Sequence, residues 1–502
     1  MLARVRSATL LGVEAIPLFI ECDIHRGLPG IHTVGLPDTA VRESAVRVRA
    51  AVRNAGFEIP PRRITISLAP ADLRKQGSAF DLPIALGILA ANGDLPPHRL
   101  SDLLVLGELA LDGGVRRVPG CLPAALLARG SGIQELIVPR ANRDEALCVP
   151  GPGVHAVERL LDAVQVVRGE LRPERAMSVT YQPARQASDL DLSEVRGQAH
   201  ARRALEVAAA GGHHLLMVGP PGCGKTMLAR RLAGILPPLG LEESIEVTCV
   251  YSAAGLLREP GLLRTRPFRA PHHTISAVGL VGGGRLPRPG EVTLAHHGVL
   301  FLDEMAEFGR STLDVLRQPL EDGDIVINRV AYGVRMPCGF ILVGAMNPCV
   351  CGNLGRTDRP CGCSPAMIAG YRARVSGPLL DRFDLQVDMP PLPISDFKDA
   401  SPLESSAIVG ARVITARRRA TERPATQLSD GARRILHQAV HVLGLSARAH
   451  DAILRVARSI SHLAAAERVE ERHVAEAVQY RCLDRPTIPC DGRPSVPRKF
   501  SY

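Results

Sequence analysis

Leu215-Leu-Met-Val-Gly-Pro-Pro-Gly-Cys-Gly-Lys-Thr226 is a short apolar run that passes into a glycine-rich turn ending in Gly-Lys-Thr. The run has the character of a buried strand. Gly219, Pro220, Pro221, Gly222, Cys223 and Gly224 form a loop whose backbone N–H groups can close around phosphate oxygens. A helix expected over Met227–Ile235 adds the positive end of its dipole. Lys225 is placed to reach the β- and γ-phosphates, and Thr226 to hold Mg²⁺ through its hydroxyl. Only four lysines (Lys75, Lys225, Lys398, Lys499) occur among 61 basic residues, so a lysine at this spot points to chemistry that arginine does not supply. The pattern predicts binding of a nucleoside triphosphate.

Gly298-Val-Leu-Phe-Leu-Asp-Glu304 is a second apolar run, and it ends in two carboxylates. Asp303 is placed to complete the Mg²⁺ sphere and Glu304 to polarise the attacking water. Both roles need a carboxylate at the C-terminal edge of a parallel sheet, where ligands of open α/β folds sit.

At 502 residues the chain should hold two to four domains. The net charge of +10 favours an anionic partner, most commonly nucleic acid, although 3% aromatics and no Trp leave a base-stacking platform poorly supplied. No stretch of about 18 uncharged apolar residues occurs, so no membrane span is expected. Leu10–Ile20 is interrupted by Glu14 and Pro17 and reads as a strand of the first domain. A cytoplasmic protein is expected, with its twelve cysteines as reduced thiols or metal ligands.

Residues 1–170 alternate strand-like runs (Ile64–Leu68, Leu103–Leu106, Glu135–Val138) with helical ones. Thr39–Ala55 places Val41, Ala45, Val48, Val52 and Ala55 on one helix face, with Arg42, Arg49 and Arg53 on an adjoining, solvated stripe. A polar linker follows at 171–188, then the nucleotide-binding core at 189–395. Helical periodicity fills 396–485 (Ala407–Thr421, Asp430–Leu443, Ala447–Ala465, Glu471–Arg481). A Pro-rich tail at 486–502 is expected to be loosely ordered.

Phe340-Ile-Leu-Val-Gly-Ala-Met-Asn347 is strand-like and ends in an asparagine suited to touch the γ-phosphate or the attacking water. Ser376-Gly-Pro-Leu-Leu-Asp-Arg-Phe-Asp384 holds Arg382, and Ser446-Ala-Arg-Ala-His450 opens a helix carrying Arg448. This order of P-loop, Asp-Glu, Asn, Arg and a late Arg resembles the AAA+ ATPases, in the clade that includes magnesium-chelatase motor subunits and MCM helicases. The resemblance implies ATP as the nucleotide, Asn347 as sensor 1, Arg382 as an arginine finger acting on a neighbouring subunit, and Arg448 as sensor 2.

Thr39–Asn54, Lys75-Gln-Gly-Ser-Ala-Phe-Asp-Leu-Pro83, Gly107-Glu-Leu-Ala-Leu-Asp-Gly113, Arg266-Pro-Phe-Arg-Ala-Pro-His-His273 and Pro287-Arg-Pro-Gly-Glu291 resemble the YifB/ComM family over nearly the whole chain. The implied fold class is α/β: a Lon-protease-like α+β N-terminal domain, an AAA+ P-loop core with a parallel sheet, and a helical C-terminal lid. The implied function is a homo-hexameric motor on DNA, with branch migration during natural transformation. The runner-up is a chelatase-type ATPase that remodels a protein partner, and a third reading is a nucleotide-gated scaffold.

Ser78 falls where a Lon-type nucleophile would lie, but the helix from Leu122 to Arg129 has no lysine, and Pro123 aligns with the required position. Arginine stays protonated and cannot act as the base. The domain is therefore expected to be non-proteolytic and to serve as a scaffold or DNA-binding collar.

Cys349, Cys351, Cys361 and Cys363 form a C-x-C-x₉-C-x-C loop at 349–363, four thiolates suited to structural Zn²⁺. His272, His273, His296 and His297 form two adjacent pairs. Adjacent residues of a strand face opposite ways, so packing or hydrogen bonding is expected of them rather than chelation. By analogy with ring motors, Thr265–Gly284 and Asp324–Met336 are expected as pore loops, with Arg266, Arg269, Arg329 and Arg335 tracking DNA phosphates without reading sequence.

Overall fold

The computed structural model describes residues 2–73, 75, 77–175, 181, 183, 190–258, 261–284, 287–328, 333–356, 358–391, 403–423 and 427–484. Two compact units result, one drawn from 1–187, 238–300 and 311–340, the other from 188–237, 301–310 and 341–502. Most of the expected linker and all of the expected tail lie outside the described residues. Among the described residues no helix is long and apolar enough to cross a membrane.

The first unit is built on an eight-stranded sheet. Leu2–Leu11 and Glu14–His25 pair antiparallel, so the run Leu10–Ile20, expected as one strand, instead turns at Gly12. Gly12 has φ +66°, and a Cβ there would come within 2.4 Å of Val334 Cγ1, which makes glycine necessary. The helix Thr39–Asn54 starts where Asp38 accepts the Val41 amide at 2.9 Å. It buries Val41, Val48 and Val52 and leaves Arg42, Arg49 and Arg53 exposed. The helix Asp81–Asn92 is buried on nearly every side, and each fully buried Leu or Ile in it stabilises the core by about 2 kcal/mol.

Within the stretch 189–395 expected as the nucleotide-binding core, residues 238–300 and 311–340 are compact with the N-terminal residues. The physical reason is an apolar match. Cys249 of the helix Leu241–Ala253 joins the cluster of Cys121, Leu122, Ala125 and Leu136, and the Gly120 amide donates to Ser252 O at 3.1 Å.

In the second unit Leu215–Val218 pairs in parallel with both Ile341–Met346 and Leu385–Asp388. All but the terminal Asp388 of these residues are buried, as expected of strands covered on both faces. Phe301 and Leu302 extend the sheet beyond Ile341–Met346. The helices Ser406–Glu422, Asp430–Leu443, Ala447–Leu463 and Glu471–Gln479 follow the expected periodicity. Ser405, Ser429 and Ser446 cap the first three by accepting amides of Ile408, Ala432 and Ala449.

Candidate functional site

The buried Leu215–Val218 strand ends in the glycine-rich loop, where Gly222 (φ +81°) and Gly224 (φ +95°) adopt left-handed backbone. The helix Lys225–Ile235 begins directly after Gly224, two residues earlier than expected. Lys225 and Thr226 therefore stand in the first turn, whose amides lack intrahelical partners. Lys225 is 9% exposed, and its ammonium donates to Gly219 O (2.6 Å), Pro220 O (2.9 Å) and Asn347 Oδ1 (3.3 Å). Burial lowers its pKa, while Cys223 and Asp303 act in the opposite sense. Thr226 Oγ1 donates to Asp303 Oδ2 at 2.7 Å, so the expected Mg²⁺-binding hydroxyl and carboxylate already meet. Glu304 is exposed and has φ +50°. A non-glycine residue in that region costs about 1–3 kcal/mol, and such residues cluster at functional sites.

Lys225, Thr226, Asp303 and Asn347, scattered in sequence, thus form one site. Arg382 does not join them. It lies among the charges around His214, which precedes the strand Leu215–Val218, at the end of that strand opposite the P-loop. Burial holds His214 down to about 4, and Arg382, His213 and Arg455 disfavour its charge further. Arg448 is exposed in the first turn of Ala447–Leu463.

Sequence reading missed a buried network two residues beyond Arg382. His213 Nδ1 meets Asp384 Oδ2 at 3.0 Å, His213 Nε2 meets Ser459 Oγ at 2.8 Å, and Arg455 Nη2 donates to Asp384 Oδ1 at 2.6 Å. Burial alone would raise the Asp384 pKa, but His213 and Arg455 hold the carboxyl well below the usual range. Asp384→Ala strands the buried His213 and leaves the half-exposed Arg455 to water, and it is expected to destabilise this unit by about 2 kcal/mol, read from the denaturant midpoint. An unchanged midpoint would refute the network's role. Because the folded pKa is depressed, the contribution is complete at neutral pH and declines once pH falls below about 4.

The Sγ atoms of Cys349, Cys351 and Cys361 lie 3.5–3.7 Å apart, and a ligand atom of Cys363 is within 4.8 Å of each. Tetrahedral Zn²⁺ with four sulfurs at about 2.3 Å requires sulfur separations of about 3.8 Å, so the donor set fits. The Asn353 amide, chiefly, pulls the Cys351 thiol down to about 6.

The histidine pairs are not splayed as expected. The rings of His296 and His297 are 3.9 Å apart and those of His272 and His273 are 4.1 Å apart, because these residues lie in turns, His297 at φ +55°. Both His296 and His297 reach Glu246 Oε2, at 3.1 and 2.6 Å. His296 Nδ1 accepts the Gly339 amide at 2.9 Å, so its Nε2 carries the proton and keeps no lone pair for a metal.

Two of the expected DNA contacts are corrected. Arg266 is buried, donating to Glu243 (2.8 Å) and His297 O (2.7 Å), and Arg269 forms a fork with Glu291 at 2.6 and 2.8 Å. Guanidinium groups so engaged are packing elements here. Arg329 lies outside the described residues. Arg335 is 73% exposed on the hairpin Asp324–Asn328/Gly333–Pro337, where it pairs with Asp324. Ser78 lines a cavity of about 670 Å³ and donates to Glu108, whose other oxygen faces Arg116 at 3.5 Å.

Fold and site together define an AAA+ P-loop ATPase. Residues 191–397 match the family description "Magnesium chelatase, subunit ChlI", residues 20–142 match "Subunit ChlI of Mg-chelatase", and residues 403–481 match "Magnesium chelatase, subunit ChlI C-terminal". The chain is 42% identical to YifB of Escherichia coli, covering 96% of this chain and 98% of that protein. It is 43% identical to the competence protein ComM of Haemophilus influenzae, at 96% and 98% coverage. A shorter match, 26% identical over 35% of this chain and 36% of the relative, is to Lon protease 2 of Bacillus subtilis. The chain belongs to the YifB/ComM family of magnesium-chelatase-like proteins.

Proposed function

We propose that the chain is a ring-forming, ATP-driven motor on DNA that works as a branch-migration helicase. The observation that carries the motor reading is the position of Arg382, away from the P-loop of its own subunit. An arginine finger there can only serve a neighbour, and a closed ring, here a homo-hexamer, completes every site. The similarity to a protein named for competence supports DNA as the partner, as does the net charge of +10.

In this reading the first-turn amides and Lys225 bind the phosphates, Lys225 exchanging the carbonyls of Gly219 and Pro220 for phosphate oxygens. Thr226 and Asp303 hold Mg²⁺, which neutralises phosphate charge when bound. Glu304 polarises the attacking water, Asn347 orients it, and Arg448 couples the lid to nucleotide state. Cys349, Cys351, Cys361 and Cys363 hold structural Zn²⁺. The functional modules are a non-proteolytic N-terminal domain at 1–170, the core at 189–395 and the lid at 396–485.

The family descriptions favour one alternative, a chelatase-type motor that remodels a protein partner. Steady-state ATP hydrolysis with and without forked or four-way DNA separates the two. DNA is expected to raise turnover in the parent, and Arg335→Glu to weaken that stimulation and flatten its salt dependence. Turnover indifferent to DNA would overturn the helicase reading.

A further inference from the structure

We propose that the four-cysteine loop is a metal-dependent clamp on the ATP site, holding Gly352 against Pro221 and Asn347 beside Lys225. The inference rests on the zinc reading above and adds to it a task in nucleotide binding.

Only Pro348 separates Asn347 from Cys349, and its ring restricts the backbone between them. Cys349 is fully buried. Gly352 turns the loop at φ +75°, and a Cβ built on it would lie 2.8 Å from Pro221 Cδ and 3.1 Å from Cγ. The backbone of the cysteine loop therefore rests directly on the P-loop. The same stretch of P-loop receives the Lys225 ammonium on the carbonyls of Gly219 and Pro220, and that ammonium also touches Asn347 Oδ1. The first Cys-x-Cys pair is thus connected to the phosphate-binding lysine by two routes, through Gly352–Pro221 and through Asn347.

The second pair leads to the catalytic carboxylate turn. Ser364, next to Cys363, caps the helix Pro365–Arg372 by accepting the Met367 amide at 3.3 Å. Tyr371 of that helix is 4% exposed; burial raises its pKa, and the Asn347 amide beside its hydroxyl partly offsets the rise. Just past the helix, Arg374 donates to Ala306 O (3.4 Å) and to Glu307 (2.9 Å), in the short turn that follows Glu304. A metal joining both pairs would tie sensor asparagine, P-loop and Glu304 turn into one rigid assembly. The loop itself is polar, glycine-containing and short of apolar anchors, so the metal's binding free energy would supply its order.

The test uses the full chain, purified under reductant, with metal content and affinity for a fluorescent ATP analogue measured side by side. The parent is expected to carry stoichiometric zinc. Stripping the metal with a chelator, then removing the chelator, should weaken nucleotide affinity at least about tenfold, and added Zn²⁺ should restore it. Gly352→Ala should keep its zinc yet lose about tenfold in affinity, because the new methyl group meets Pro221 and the left-handed backbone strains it. Metal-free protein that binds the analogue as tightly as loaded protein, or zinc-loaded Gly352→Ala with parental affinity, would overturn the clamp. A parent that holds no zinc would overturn the zinc reading, and the clamp with it.

Discussion

Glu304→Gln is expected to lower ATP turnover roughly a hundred- to ten-thousandfold while leaving ATP affinity within a few-fold of the parent. The carboxylate stands exposed just beyond the buried strand Val299–Leu302, in left-handed backbone that orients it away from the core. The amide keeps the shape and removes the capacity to polarise water. Its carboxylate takes no part in the hydrogen bonds that Lys225 donates to Gly219, Pro220 and Asn347, and Thr226 to Asp303. Lys225→Ala should show the opposite profile, with binding itself lost, because the loop then has no cation for the β- and γ-phosphates. Turnover and nucleotide affinity measured together separate the cases. Retained turnover in Glu304→Gln would assign the water to another group.

Arg382→Ala is expected to cost about a thousandfold or more in turnover with ATP binding preserved, the magnitude typical of an arginine finger. The decisive measurement mixes two inactive proteins. In a mixed assembly, a subunit carrying Arg382→Ala still offers an intact P-loop and Glu304, and an adjacent Glu304→Gln subunit still offers Arg382. Interfaces of that pairing should regain activity. If Arg382 served its own subunit, no mixture would recover, and the proposed ring would lose its main support. Destabilisation is a separate matter that the nearby network can report. Asp384 already takes its hydrogen bonds from His213 and Arg455, so removal of Arg382 leaves those two contacts in place.

The phosphate loop of the ATP site was legible because its parts are local. A phosphate loop needs consecutive backbone amides next to a strand and before a helix, so Leu215–Thr226 announces itself in a single stretch. The lid was legible for a similar reason. Helical periodicity and serine caps at Ser405, Ser429 and Ser446 are written within a few residues of the helix starts they determine. The Cys-x-Cys pairs flagged a candidate metal-binding set by residue type alone, and their thiols do come together.

The less legible features depend on residues far apart in sequence. Basic charge at Arg266 and Arg269 suggested a phosphate contact, but Glu243 and Glu291 were near enough in space to claim both guanidinium groups. The histidine pairs pack and hydrogen-bond as expected, but their rings lie together rather than on opposite faces, because the chain turns there, as at His297, where a strand was assumed. No pattern marked His213, although it stands just before the strand that leads to the P-loop; its meaning appears only when Asp384 and Ser459 close around it.

By itself, the amino-acid sequence determined the nucleotide chemistry, the parallel-sheet core, the helical lid and the family, because short-range backbone and side-chain requirements are encoded contiguously. Tertiary structure alone decided which cations are spent on internal ion pairs and that residues 238–300 pack with the N-terminal residues. It also decided that the cysteine loop rests on Pro221. Such outcomes follow from which apolar faces and opposite charges come within contact distance after folding, a property of the packed chain as a whole.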